Sequence, residues 1–322
     1  MRHRDKLVPM VVALPLFLQH IDSTAIGTAL PTISASLGID TLRLNLAITA
    51  YLISVAIFLP ASGWIAERYG ARRVFCVAIA VFTAASALCA ISNSLEMLVA
   101  CRVLQGLGGA MMIPVGRLLL LRNVAPIAMI AAMAWFTVPP AMGRLVGPAI
   151  GGAIVTWFSW RWVFLINVPL GLLGIALALW VLDDSVSPEP PGPFDLAGFA
   201  LMGLGLACVL GALELSGSKL MSSAMAAGLG SFGVACLVAY GLHSRRKASP
   251  LIDLGIMRYP AFFASTIGGT PLRLAVGAVP FLLPLMFQLG FGMSPLDSGL
   301  LTLGTALGTL GTRTILQGTI DR

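Results

Sequence analysis

The chain has 322 residues, of which 58% are apolar and only 10% charged. A soluble domain carries roughly a quarter charged residues, so these charges are too few to cover a water-facing surface and a soluble fold is excluded. The net charge of +7 does not point to nucleic acid, because the basic residues form no stripe on one face. They fall in short clusters between apolar runs, at Arg2, Arg4 and Lys6, at Arg68, Arg72 and Arg73, and at Arg245, Arg246 and Lys247, as they do in the cytoplasmic loops of membrane proteins.

A hydrocarbon core about 30 Å thick takes about 20 apolar residues per helix. The apolar runs predict spans near 8–31, 45–66, 74–92, 97–119, 129–156, 162–182, 196–214, 222–242, 261–289 and 298–317. That is an all-α polytopic membrane protein with about ten transmembrane helices. The runs are continuous and do not alternate, which excludes a closed β-barrel. The N-terminus imitates a signal peptide, with basic residues ahead of the run from Leu7 to Leu18. No small-residue cleavage site follows, so this run is read as the first span.

The basic clusters fall on one side of the membrane, and the opposite loops hold only Arg43, Arg161 and Lys219 near their ends, which puts the N-terminus in the cytoplasm. The stretch 183–195 carries Asp183, Asp184, Glu189 and Asp195 without Lys or Arg, but acidic residues weigh little in this rule. Its prolines, at 188, 190, 191 and 193, make it a stiff, extended linker. The organisation expected is a six-helix bundle over 1–182, the cytoplasmic linker over 183–195, an extra pair of helices over 196–242, a basic cytoplasmic loop over 243–260, and the first part of a second bundle over 261–322. A bundle followed by a linker is how transporters built from repeated halves begin. The cysteines, Cys76, Cys89, Cys101, Cys208 and Cys236, show no paired or metal-ligand spacing and read as small buried apolar residues.

Four constellations carry chemistry. Asp22, in His20-Ile21-Asp22-Ser23-Thr24-Ala25-Ile26-Gly27-Thr28-Ala29-Leu30-Pro31, is the only acidic residue deep in an apolar run of the first six spans. Burial penalises the charged form of a carboxylate, so such a group can exchange a proton; a structural hydrogen-bonding role is the alternative. Gly63-Trp64-Ile65-Ala66-Glu67-Arg68-Tyr69-Gly70-Ala71-Arg72-Arg73 lies in the loop between the second and third spans. Gly63 allows close helix approach and Gly70 a tight turn. Glu67 can pair with Arg68, Arg72 or Arg73, or sit at a helix N-terminus. Alone, the stretch reads equally as a solvated basic loop. In Arg102-Val103-Leu104-Gln105-Gly106-Leu107-Gly108-Gly109-Ala110, the arginine costs at least about 2.5 kcal/mol inside a span. It either snorkels to the interface or needs a partner, and Gln105 is one turn away on the same face. In Gly143-Arg144-Leu145-Val146-Gly147-Pro148-Ala149-Ile150-Gly151-Gly152, glycines at every fourth position form a stripe for close packing, and Pro148 can kink the helix.

These segments, in this order, resemble the motifs of the major facilitator superfamily, and in particular of its fourteen-span drug:proton antiporters. Trp160-Arg161-Trp162-Val163-Phe164-Leu165-Ile166-Asn167-Val168-Pro169-Leu170-Gly171 is also similar to that subfamily. The resemblance implies a major facilitator fold whose second half is incomplete here, and proton-coupled export of small amphipathic molecules or drugs. It implies that Asp22 carries the proton and that Arg102 and Gln105 tune it. Gly63, Glu67, Arg68, Gly70, Arg72 and Arg73 would form a cytoplasmic gate that latches the halves. Gly143, Gly147, Pro148, Gly151 and Gly152 resemble the motif that marks antiporters, from which Arg144 departs. The expected energy source is the proton gradient, with no organic cofactor or metal. The expected partners are a small-molecule substrate, protons and the lipid bilayer, with an accessory export subunit left open and no nucleic acid. The expected location is a plasma membrane, as in the bacterial inner membrane. An enzyme is not expected, since no nucleophile, acid-base or metal cluster is visible at one membrane depth. Relatives of this kind continue beyond residue 322, so the alternative expectation is a truncated product that inserts but does not transport.

Overall fold

The computed structural model describes residues 3–183, 191–217, 221–247 and 249–304. Arg2, linker residues 184–190, Lys219 and the portion of the expected last span beyond residue 304 lie outside the described residues. Every regular element among them is helical: α1 (His3–Leu37), α2 (Thr41–Phe58), α3 (Ala61–Tyr69), α4 (Ala71–Ala90), α5 (Leu95–Asn123), α6 (Met129–Trp157), α7 (Trp162–Leu165), α8 (Asn167–Val181), α9 (Leu196–Gly217), α10 (Ser223–Arg246), α11 (Pro260–Phe263) and α12 (Thr270–Leu285). A further helix occupies 295–304. Helices are the answer because hydrocarbon offers no partner to a backbone N–H or C=O, so each segment must pair its own. Among the described residues, eight helices are long and apolar enough to cross a membrane, or up to nine if one bent pair counts as a span.

That bent pair corrects the expected second span at 45–66. The segment is two helices, α2 and α3, set at 58° to each other. The break falls at Leu59 and Pro60, where proline has no N–H to carry the ladder on. The expected loop after it is also mostly helix, with Gly63 to Tyr69 in α3 and Ala71 to Arg73 opening α4. Only Gly70 separates them, at φ 93°, a left-handed conformation open to glycine and strained for other residues.

In the first bundle α1 packs along α6, α4 along α5 and α8, and α2 along α5. Two apolar clusters fill it. One holds Val8, Val12 and Leu16 of α1 with Phe75 and Phe82 of α4 and Met112 and Leu119 of α5. The other holds Ile26, Leu30 and Ile33 of α1 with Leu44 of α2, Leu98 of α5 and Phe164 of α7. Where the two clusters meet along α1, α4 and α5 lie buried polar side chains: Gln19 and Asp22, Ser86, and Arg102 and Gln105. The sequence thus places a polar layer across the middle of an otherwise apolar bundle. Close packing around it depends on small residues: a Cβ on Gly106 would come within 2.6 Å of the Tyr51 carbonyl, and one on Gly108 within 2.7 Å of the Ala78 carbonyl.

The extra pair, α9 and α10, packs together and leans on α2, where Thr49 Oγ1 donates to Glu214 Oε2 at 2.8 Å. Asp195, expected as one more acidic linker residue, has a structural task at the start of α9. Its buried carboxylate accepts from the Gly198 N–H (3.1 Å), the Leu251 N–H (3.3 Å) and His243 Nε2 (2.9 Å). It therefore ties α9 to α10 and to the segment that leads into α11. Burial alone would push this carboxyl up, but His243 and the two backbone donors outweigh it and hold the group below its ordinary range.

Candidate functional site

The polar layer is one connected network. Arg102 is fully buried; it does not snorkel to the interface. Its Nη1 donates to Asp22 Oδ2 at 2.7 Å and to Gln105 Oε1 at 2.6 Å, and its Nε reaches the Ala47 carbonyl at 3.4 Å. The guanidinium carbon lies 4.2 Å from the centre of the Tyr51 ring and 5.9 Å from that of Phe164, faces whose quadrupoles attract a cation. The second carboxylate oxygen of Asp22 accepts from Asn167 Nδ2 at 2.7 Å. Gln105 Nε2 donates to Ser86 Oγ at 2.8 Å, which also accepts from Asn167 Nδ2 at 3.3 Å. Gln19 Nε2 extends the layer to the Tyr51 hydroxyl (3.2 Å) and the Gly109 carbonyl (3.1 Å).

Two charges out of water are tolerated only when they pair and their remaining atoms find partners. Here most do; Arg102 Nη2, Asn167 Oδ1 and Gln19 Oε1 make no hydrogen bond among the described residues. Asp22 has one oxygen held by a cation and the other by an amide donor. The sequence picked out Asp22, Arg102 and Gln105, and the fold brings all three together. It gave no role to Asn167, Tyr51, Ser86 or Gln19. A polar residue in an apolar run was the available signal for Asn167 and Gln19, whereas Ser86 and Tyr51 carried none.

The expected gate residues lie away from this layer. Glu67 and Arg68 are exposed in the last turn of α3. Glu67 makes no ion pair with Arg68, Arg72 or Arg73 among the described residues, and it stands at a helix C-terminus, not an N-terminus. Gly63 does not serve close approach, since a Cβ there would meet nothing within 4 Å. Arg72 Nη1 donates to the Leu182 carbonyl at 3.1 Å, closing the end of α8 onto the start of α4. Trp64 Nε1 donates to the Gly192 carbonyl at 2.8 Å, and its ring lies 5.0 Å from that of Phe194, so α3 is also where the linker docks.

The α6 stripe is the seam with α1. Cβ atoms on Gly143 and Gly151 would approach the carbonyls of Phe17 and Ala25 within 2.6 and 2.5 Å, and one on Gly147 would overlap Thr24 Oγ1. Pro148 leaves its own carbonyl accepting from Thr28 Oγ1 at 3.1 Å. Gly152 instead faces the backbone of Pro295, and a Cβ on Gly299 would come within 2.5 Å of the Pro148 carbonyl. The seam therefore holds α1 on one side and the 295–304 helix on the other.

A helical bundle of apolar spans with a buried charged layer at its middle defines a multi-pass membrane protein. The pattern of the Major Facilitator Superfamily matches residues 12–322, and the chain belongs to that family. Among its relatives, MdtD of Salmonella heidelberg (strain SL476) and MdtD of Salmonella typhimurium (strain LT2) are each 40% identical over 312 residues, 97% of this chain and 66% of theirs. Both carry the provisional name multidrug resistance protein. The chain thus spans just under two thirds of the length of these relatives. Among solved structures, a D-xylose–proton symporter matches 98% of this chain and 69% of its own at a TM-score of 0.62 and 16% identity. A peptide transporter POT in complex with sulfate matches 75% of this chain and 53% of its own at 0.55 and 19%. Identities this low establish the shared fold alone.

Proposed function

We propose that the transporter carrying this chain exports small amphipathic molecules, drugs among them, in exchange for protons. The observation that carries this reading is the buried Asp22–Arg102 pair, 2.7 Å apart in the middle of the bundle. Asp22 is the proton site, Arg102 competes with the proton for its carboxylate, and Gln105 holds Arg102 in place when the carboxylate is neutral. The α3–α4 segment, with Gly63, Glu67, Arg68, Gly70, Arg72 and Arg73, gates the cytoplasmic side, and the glycines and Pro148 of α6 set the seam along which helices slide. The relatives' name supports drugs as substrates. The protein works as a carrier and not as an enzyme, drawing on the proton gradient, with its N-terminus in the cytoplasm and its helices in a bacterial inner membrane. An accessory export subunit fits this location as a partner.

The test is transport in a drug-sensitive strain stripped of its own exporters. Proton-dependent efflux of an amphipathic dye above the empty-vector level is expected, with Asp22→Asn inserting normally and losing it. Efflux that survives Asp22→Asn at equal expression would overturn the reading. Orientation is tested separately by labelling a single cysteine at the exposed position Ser249 with a membrane-impermeant reagent, which should react only after the cells are opened.

A further inference from the structure

Arg144 departs from the pattern expected of its segment, and the Asp22 network does not use it. It sits halfway along α6, which is 29 residues long, so its Cα lies near the depth where transporter sites occur. Among the described residues its guanidinium makes no hydrogen bond or ion pair. An unpaired arginine at this depth marks a functional site unless something neutralises it. Arg144, itself exposed, lines an open groove of about 330 Å³ between the first bundle and α12, with Leu16, His20, Ile113, Phe136 and Val276 among its neighbours there. Among the described residues, no acidic side chain lines it. The His20 ring, half-buried on α1, has no hydrogen-bond partner among the described residues either. Asp22 is no partner for Arg144: two residues past His20 it points about 200° around the helix, and both its oxygens are occupied by Arg102 and Asn167. Gly143 next to it seats the α6 backbone on Phe17 and His20, which places Arg144 on the same side as His20.

A guanidinium recognises carboxylate, sulfonate or phosphate oxygens through parallel N–H donors. The same charge repels cations, so it selects by exclusion as well as by attraction. The apolar wall suits the body of an amphipathic molecule, and the volume is within the range of small-molecule sites. We infer that this groove is a substrate site for anionic amphipathic molecules, whose acidic group sits on Arg144 with His20 as a second donor and whose apolar body lies against Phe136, Leu16 and Val276. The inference rests on the transporter reading, and it names the substrate class.

The experiment is equilibrium binding to the purified chain in nanodiscs of zwitterionic lipid, with empty nanodiscs subtracted. The two probes share one aromatic skeleton: 1-anilinonaphthalene-8-sulfonate, which is anionic, and N-phenyl-1-naphthylamine, which is not. The anionic probe should bind about tenfold more tightly, a difference that one charge-assisted pair supplies. Arg144→Gln should remove that advantage and leave the neutral probe within about twofold, and Arg144→Lys should retain part of it, since lysine keeps the charge but not the fork. Because the neutral probe reports an intact groove in each variant, a folding defect is recognised as a loss of both probes. In that case Arg144→Lys and the wild-type preference decide, and equal affinity of wild type for both probes overturns the inference. So does unchanged binding of the sulfonate to Arg144→Gln. No proton gradient enters the measurement, so anion binding that persists while Asp22-dependent efflux fails would sink the export reading and leave the site, and the converse would sink the site alone.

Discussion

Arg102 and Asp22, 80 positions apart in the chain, meet through a single Nη1–Oδ2 contact of 2.7 Å with neither side chain exposed. Removing one member of such a pair strands the other in a place without water. Arg102→Gln should therefore cost about 3–5 kcal/mol of stability, read as a lower midpoint of thermal unfolding in detergent. Asp22→Asn combined with Arg102→Gln should cost less than the sum of the two single changes. Simple additivity would mean that the pair is not coupled.

The seam between α1 and α6 makes a sharper steric prediction. A methyl at position 147 collides with Thr24 Oγ1, so Gly147→Ala should destabilise by about 1–3 kcal/mol. Thr24→Ala removes the colliding atom, and the double variant should recover most of the loss. The same thermal midpoints check this, and failure of the second change to rescue would place the cost elsewhere.

Asp195 predicts a pH dependence. Its carboxyl is held below the ordinary range by His243 and the backbone donors of Gly198 and Leu251, against the opposing effect of burial. A carboxyl depressed in the folded state contributes stability that is fully present above its unfolded value and is lost as pH falls through the folded one. The docking of α9 onto α10 should accordingly be strongest at neutral pH and weaken only in acid. Hydrogen bonds to a charged group are worth about 1.5–3 kcal/mol, so Asp195→Asn should lower the unfolding midpoint at neutral pH and flatten its acid dependence. An unchanged midpoint across that range would remove the clamp from the account.

Glu67 should behave differently from the buried acids. It is exposed and makes no ion pair among the described residues, so Glu67→Ala should leave stability within about 0.5 kcal/mol. It lies outside the midplane where transporter sites sit. Turnover should therefore slow while equilibrium substrate binding stays nearly the same, as measured by paired flux and binding assays.

What the sequence disclosed and what it hid follow from physics. A charge or amide in an apolar run is costly, so Asp22, Arg102 and Gln105 stand out without any knowledge of the fold. Tyr51 and Ser86 do not, because such side chains are ordinary in a membrane helix until three dimensions place them beside a guanidinium. Length and hydropathy located the spans, yet the run through Pro60 looked continuous although proline breaks it there. Glu67 among arginines suggested ion pairs that helix geometry does not form, while Arg72 found the Leu182 carbonyl 110 positions away, which no local pattern encodes. Asp195 read as a loop acid because its partners lie 48 and 56 residues further on.

The central claim is that Asp22 exchanges Arg102 for a proton during transport. Its most direct measurement uses proteoliposomes containing the transporter, with a pH-sensitive dye and an amphipathic substrate followed together under an imposed proton gradient. The wild type should move protons and substrate in opposite directions. Asp22→Asn should abolish both gradient-driven substrate movement and proton flux, while still exchanging substrate for substrate when no gradient is present. Gradient-driven transport by Asp22→Asn at the wild-type rate would contradict the account.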